Sequence, residues 1–467
     1  MPLPVTCLKV FVITVLFTVT CMCDTYAQSI YRSTTHAKIP DTSVVRKRFG
    51  RAALEFGLAE VTPWSYDHFI AHKDYADLTW KSTAYNLNPG HAQFDNDPFT
   101  TNQFGHPYHG NLFYSSFRTN GYTFWQSVPV AFAGSYFWET FAENQAPAPN
   151  DFINTSFGGI VLGEMTYRLS NKIVNNRTTG THRQISEVIA LLVSPTNGLN
   201  RIIDGKWGKV YGNPSLHDSS KVSAQFYFGF RQYNITSNNP FHNTIKGWYG
   251  HARLLYGEPD QDYKTPFSNF VVNVEVGKDD SSTMNVVSVY GSLVGWDFSW
   301  EGKAQQLLVI SANYDYIHNE DFFYGGQSVR ANLISRYDLT KKATINTVFG
   351  AGPVLLAAVP DPYLFHGRNY DYGSGLGVNA SGTLTLFNKL TYTLSYRGGW
   401  TETINGNRSY YFLHTAYSEL TYMFVKHFSV CAELGYYALQ GSYYKIHPDR
   451  DEHYPYFKTA LRYNVDF

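Results

Sequence analysis

Carboxylates and histidines that could move protons are concentrated in one part of this chain. Glu139, Asp151 and Glu164 stand among apolar and aromatic neighbours. Acids in such surroundings hold their protons with different strengths, which is what acid–base chemistry needs. These three are the catalytic candidates. His106, His109, Arg118, Asn150 and Asn154 supply the donors and acceptors a polar ligand would require. His106 and His109 are close enough in sequence to share a divalent metal. Pro107 between them is expected to break the helix that would align them, so neither a metal nor any other cofactor is assigned.

The same residues also suit a structural role. At helical spacing Asn111, Ser115 and Arg118 share one face, Ser135, Glu139 and Glu143 another, and Glu164 with Arg168 forms an i,i+4 pair. Charges among apolar neighbours must be paired, and Arg118 is expected to pair with Glu139 or Glu164. Gly159 and Gly163 make a small-xxx-small patch that lets helices approach closely. A buried polar network locking several helices in register is therefore the preferred reading of this region, ahead of catalysis.

Three motifs run through it in order. They are His106-Pro107-Tyr108-His109-Gly110, then Gly134-Ser135 with Trp138-Glu139, then Asn150-Asp151 followed by Gly158-Gly159 and Gly163-Glu164. The stretch resembles a bacterial outer-membrane family known only as a domain of unknown function (the 3943 type), and "SPTNGLNRIIDG" is similar to that family's closing helical element. The resemblance implies an outer-membrane location and a helical plug with a barrel, and it brings no known activity. Gly134, Trp138, Gly158, Gly159 and Gly163 of these motifs, together with Arg168 of the i,i+4 pair, are read as structural positions.

The elements around these residues differ in grammar along the chain. From Thr62 to Lys209 the apolar residues recur at helical spacing. Pro129, Gly134, Ser135 and Glu139 interrupt the best apolar run, so no helix there is expected to span a bilayer. Beyond Lys221 the period becomes two. In "KLTYTLSYRG", Leu390, Tyr392, Leu394 and Tyr396 lie on one face and Thr391, Thr393, Ser395 and Arg397 on the other. The last strand alternates Phe457, Thr459, Leu461, Tyr463, Val465 and Phe467 with polar residues, as a lipid-facing strand should. Tyr463, Val465 and Phe467 are read as the assembly signal for the barrel assembly machinery.

About twelve such runs are present, an even number as bacterial barrels prefer. Short turns ("DLTKK", "LFNK", "FVKH") alternate with longer connections ("ITSNNPFHNTIK", "VPDPYLFHGRNYD", "YYKIHPDRDEH"), which puts the long ones outside. His427 and Ser429 match the His-x-Ser of outer-membrane phospholipases but fall beside a short turn, and are read as strand residues. Gly-rich "DYGSGLG" lacks the Lys-Ser/Thr of a phosphate loop.

Composition fits this class. Aromatics reach 17%, with 37 Tyr and 33 Phe, against 16% charged residues, which suits the interfacial girdles of a membrane barrel. The formal net charge is zero, which removes any electrostatic case for nucleic acid. Lys9, the apolar run after it and Thr25-Tyr26-Ala27 read as a secretory signal. Cys7, Cys21 and Cys23 lie in that signal, leaving Cys431 alone, so no disulfide framework is available.

The expected architecture is mainly β with an α-helical N-terminal part: residues 1–27 a signal peptide, 28–61 an arm, 62–209 the helical domain, as a plug in the lumen or a periplasmic domain, and 210–467 a transmembrane antiparallel β-barrel of about twelve strands. The expected role is structural or transport-related in the outer membrane, among its lipids and with no substrate named. The rival is an enzyme acting on envelope lipid or glycan through the carboxylates of the helical domain.

Overall fold

In the computed structural model, residues 38–39, 46–212, 220–234, 245–258, 265–277, 283–298, 304–319 and 322–466 are described. The expected signal peptide and Phe467 lie outside them. The chain divides into a helical unit, Met1–Asp95 with Thr100–Ser219, and a barrel unit, Asn96–Phe99 with Ser220–Phe467.

The helical unit contains α1 (Phe49–Phe69), α2 (Trp80–Asn86), α3 (His106–Arg118), α4 (Phe124–Phe141), α5 (Pro149–Ile153), α6 (Gly159–Val174), α7 (Gly180–Val193) and α8 (Pro195–Ile203). Helix α1 starts inside the segment read as an arm and runs across residue 62, so the arm is shorter than the sequence suggested. Among the described residues no helix is long and apolar enough to cross a membrane. The N-terminus of α4 is fixed by a capping box in which Thr123 accepts from the Gln126 N–H and Gln126 from the Thr123 N–H.

Two π-helical turns, Thr101–Gly105 before α3 and Asn154–Gly158 before α6, run directly into those helices. Pro107 follows the π turn directly, at the second position of α3, and the helix continues through it. The break expected at Pro107 does not occur.

Glycines let these helices touch backbone to backbone. A Cβ on Gly110 would stand 1.8 Å from the Thr155 carbonyl oxygen, and one on Gly159 would stand 2.4 Å from the Gly110 carbonyl carbon. Gly163 faces the Tyr114 ring, Gly134 the Phe113 ring and Gly158 the Pro107 ring. The small-xxx-small expectation for Gly159 and Gly163 is thus realised against α3.

The barrel strands are β1 (Val222–Tyr233), β2 (Ile245–Tyr256), β3 (Phe270–Gly277), β4 (Met284–Asp297), β5 (Gln305–His318), β6 (Phe323–Thr340), β7 (Ala343–Phe365), β8 (Arg368–Leu386), β9 (Leu390–Asn405), β10 (Tyr410–Val425), β11 (Phe428–Ser442) and β12 (Arg450–Asp466). Each pairs antiparallel with its neighbours, and β12 closes onto β1 through pairs from Tyr456↔Tyr233 to Asp466↔Ser223. Closure leaves no sheet edge. The first strand begins at Val222, so Val210–Tyr211, expected in the barrel domain, falls in the helical unit, where it pairs with Lys38–Ile39.

One long connection is not a loop. β7 and β8 extend through most of "VPDPYLFHGRNYD" and meet at a tight turn, with His366 and Gly367 at positive φ.

Alternation has the sense opposite to that of a soluble protein. Phe228, Phe230, Leu376, Leu394, Leu420, Val430, Leu434 and Leu461 are exposed on one face. Arg231, Glu275, Asp315 and Lys458 are buried on the other.

Candidate functional site

The acidic residues singled out from sequence separate into different environments. Glu164, fully buried on α6, accepts from Arg118 Nε at 2.6 Å and from Arg168 Nε at 2.8 Å. Arg118 Nη2 donates a further bond at 3.1 Å and the Tyr114 hydroxyl another at 2.6 Å. Burial alone would push the Glu164 carboxyl upward, but the Arg118 and Arg168 guanidiniums outweigh it and hold the group below the usual range. Arg118 also sits 4.1 Å from the Tyr167 ring centroid and donates to the Tyr122 carbonyl. Of the two partners expected for Arg118, the structure pairs it with Glu164. This constellation is satisfied on every side and is suited to holding α3 against α6.

A second network of the same kind escaped the sequence reading. Glu187 on α7 accepts from Arg183 at 2.7 Å and from Arg201 on α8 at 2.7 Å, all three buried. The i,i+4 spacing of Arg183 and Glu187 was its available signal.

The other cluster joins His106, Glu139 and Asp151, from the start of α3, the end of α4 and α5. One ligating atom from each lies within 4.8 Å of the other two. His106 Nε2 is 3.4 Å from Asp151 Oδ1, and its Nδ1 is 3.3 Å from Thr155 Oγ1. Glu139 Oε2 accepts the Ala148 backbone N–H at 2.9 Å. Asn150 Nδ2 donates to Asp151 Oδ1 at 2.8 Å and to Asp95 Oδ1 at 2.6 Å, and Asn102 Nδ2 also donates to Asp95, at 2.9 Å. Burial lowers the His106 pKa, with Asp95 opposing the shift, so the imidazole tends toward its neutral, ligating form.

His109 is not part of this cluster. Its Nε2 lies 2.9 Å from the Ala59 carbonyl, and its ring packs on Phe113 and Trp138. Burial pushes its pKa down to about 4. The sequence had grouped His106 with His109. The helix beginning at His106 sends one ring to Asp151 and the other toward α1, which a proline-broken segment would not have fixed.

Asn154, a binding candidate from the sequence, is fully buried, and neither its Oδ1 nor its Nδ2 has a hydrogen-bond partner. Gly134, Gly158, Gly159 and Gly163 make the close approaches already described, Trp138 Nε1 donates to Glu143 at 2.6 Å, and Arg168 holds Glu164. His427 Nδ1 is 2.9 Å from the Asn464 carbonyl and Ser429 Oγ is within reach of the Asn464 amide, a contact between β12 and the turn before β11.

Inside the barrel, inward-facing side chains reach across the bore. Glu275 on β3 takes Lys458 of β12 at 2.8 Å and Arg231 of β1. Asp315 on β5 takes Arg397 of β9 at 2.7 Å and the Tyr290 hydroxyl at 2.6 Å. At one end of the barrel an aromatic cluster includes Tyr233, Phe322, Tyr411, Tyr437, Tyr443 and Tyr456. The rings of Phe322, between β5 and β6, and Tyr437, on β11, stack 5.3 Å apart, which joins opposite sides of the ring of strands. Within the barrel unit the Asn96–Phe99 segment is also held. Phe99 packs on Tyr316, Phe323 and Tyr370, and the Tyr370 hydroxyl donates to the Asp97 carbonyl at 2.7 Å.

With this geometry in hand, residues 91–196 match the family model described as domain of unknown function (DUF3943), the family that the motifs resemble. The match takes in the His106, Glu139 and Asp151 cluster and the Glu164 network. No curated protein matches the chain. Among solved structures it is similar to the NanC porin, at 7% identity over 51% of this chain and 100% of that one, with a TM-score of 0.31. An outer-membrane channel from Pseudomonas putida F1 shows 12% identity over 53% of this chain and 95% of that one, TM-score 0.33. The KdgM porin shows 10% identity over 51% and 98%, TM-score 0.24. At such scores the likeness is loose, and the functional reading rests on the barrel's own surfaces.

Proposed function

We propose that the chain is an integral outer-membrane β-barrel whose bore is shut by its own side chains, so that it acts as a gated passage or an organising protein of the envelope. The observation that carries this is the inverted barrel wall, apolar outside and charged within. Exposed Phe228, Leu376, Leu394 and Leu434 suit lipid, whereas Glu275, Asp315 and Lys458 are paired inside. Outer-membrane lipids are then its solvent. The assembly machinery is its partner through the terminal strand, where Tyr463 pairs with Phe226 and Val465 with Ala224.

Closure is assigned to the cross-bore pairs and to the stack of Phe322 on Tyr437. The helical part as a plug is a second reading, which the family resemblance implies. The enzyme alternative loses its three-carboxylate form, because Glu164 is committed to Arg118 and Arg168 while Glu139 and Asp151 meet at His106.

Conductance in planar bilayers separates these readings. The purified wild-type protein should be silent, and Phe322→Ala with Tyr437→Ala should give resolvable channel steps. Deletion of residues 62–209 should leave the bilayer silent. Steps that appear only after that deletion would transfer closure to the helices, and a conducting wild type would sink the proposal.

A further inference from the structure

We infer that His106, Glu139 and Asp151 form a binding site for one divalent transition ion of the Zn2+ or Mn2+ class. The inference is independent of the barrel's role. Its first support is convergence: three side chains of ligating type come from three separate elements, with their ligand atoms within 4.8 Å of one another. Donors each about 2.1 Å from a shared ion lie no more than about 4.2 Å apart, so rotamer adjustments of under about 1 Å complete the site.

The second support is two buried side chains without hydrogen-bond partners, each one helical turn from one of the three ligands. Asn154 lies one turn beyond Asp151 on the same helical face. It is 0% exposed, with neither side-chain polar atom bonded. Ser135 lies one turn before Glu139 on α4, and its Oγ is likewise buried and unbonded. Buried polar groups are nearly always satisfied, and exceptions point to an ion or water that completes them. Asn154 Oδ1 and Ser135 Oγ would extend the imidazole nitrogen and two carboxylates toward a full coordination shell.

The donor set chooses the ion class. Mg2+ and Ca2+ take oxygen ligands, and an imidazole nitrogen beside carboxylates favours Zn2+, Mn2+ or Fe2+. Two carboxylates also neutralise a doubly charged ion, which a buried site requires. The surroundings orient the ligands as metal sites require. Thr155 Oγ1 meets His106 Nδ1, leaving Nε2 toward Asp151, and Asn150 ties Asp151 to Asp95. Pro107, which argued against a metal in the sequence, instead starts the helix that aims His106.

The test uses the full chain, stripped with chelator in detergent and titrated with Co2+ and Zn2+. The wild type should bind one equivalent of Co2+ with a visible d–d spectrum, and Zn2+ should displace it. Asp151→Asn and His106→Gln should each weaken binding by at least about 10-fold, since even outer ligands change affinity by that factor. His109→Gln should leave stoichiometry and spectrum unchanged. Absence of stoichiometric binding, or binding indifferent to both site variants, overturns the inference. Should a variant fail to fold, anomalous scattering from Zn2+ in wild-type crystals decides: an ion between His106 and Asp151 upholds the site, and an ion elsewhere or none removes it.

Discussion

Glu164 and Asp151 are both buried acids of the helical unit, yet one is enclosed by guanidiniums and the other faces a histidine and a second carboxylate. The first arrangement has its charge matched by Arg118 and Arg168 and its remaining valence met by Tyr114. Such a group does nothing further and holds helices in place. In the second, Glu139 and Asp151 bring like charges together beside an imidazole driven toward neutrality. Two carboxylates at close range are a cost to folding that a bound cation removes. Both are buried carboxylates, and the identity of the opposing group separates scaffold from site.

The strongest way to break that comparison is to attack the scaffold side. Arg118→Met leaves Glu164 short of one of its two cations, and removing one member of a buried pair typically costs about 3–5 kcal/mol. For a unit of this size that corresponds to a fall in melting temperature on the order of 10 °C. Thermal unfolding should show it, with protease cutting in residues 62–209 while the barrel keeps its heat-modifiable migration. If Arg118→Met and Glu164→Gln combine with full additivity, the pair is not coupled and the contrast with Asp151 collapses.

Acid is the next probe. Glu164 is held below its usual range, so its contribution is present above about pH 4.5 and disappears as pH falls below that toward its depressed folded value. His109, with a folded pKa of about 4, loses stability in the same direction but earlier. The unfolded chain takes up the proton from about pH 6.5 downward, which the folded chain resists until about 4. Measured as the difference between wild type and His109→Gln, which cancels the other titrating groups, the wild type should therefore lose melting temperature relative to the variant as pH falls from 6.5 to 4. A difference that stays constant between pH 6.5 and 4 would show that His109 is not buried as a neutral ring.

A smaller effect is expected on the site side. In chelator-treated protein Asp151→Asn removes a charge facing Glu139 while keeping a polar group of the same shape. Its stability should stay within about 1 kcal/mol of wild type, as most substitutions free of a strong mechanism do. A loss as large as that for Arg118→Met would make Asp151 another scaffold residue.

The sequence made some of this legible and hid the rest for identifiable reasons. Twelve strands were visible because period two with one apolar face repeats from Val222 to Asp466, and register follows from it. The long β7 and β8 hairpin was misread because Pro360, Asp361, Pro362 and the His366-Gly367 turn look like loop residues, although the strands carry ladder pairs as far as Phe365↔Arg368. In the helical unit the Gly159 and Gly163 contacts and the Glu164–Arg168 pair followed from spacing. The meeting of His106 with Glu139 and Asp151 did not. It depends on two π turns that shift helical phase before α3 and α6, and no propensity marks a π turn in advance.

A third acid gives the finest test of the rule. Glu60 on α1 lies beside an apolar groove lined by Phe56, Val61, Trp64, Leu78, Phe137 and Phe141, and its Oε1 has no hydrogen-bond partner. Burial pushes its pKa up to about 8. A raised acid contributes stability that is complete below its unfolded value near 4.5 and is lost as pH climbs through the folded value, so between those limits the wild type weakens progressively. Glu60→Gln keeps the volume and removes the titration. The variant should melt at the same temperature as wild type at pH 4 and a few degrees higher at pH 9, at about 2–4 °C for each kcal/mol regained. A variant that is less stable at pH 9 would mean that the ionised Glu60 finds a cation in the groove. It would then belong with Glu164 and not with the acids whose opposing group is missing or shared.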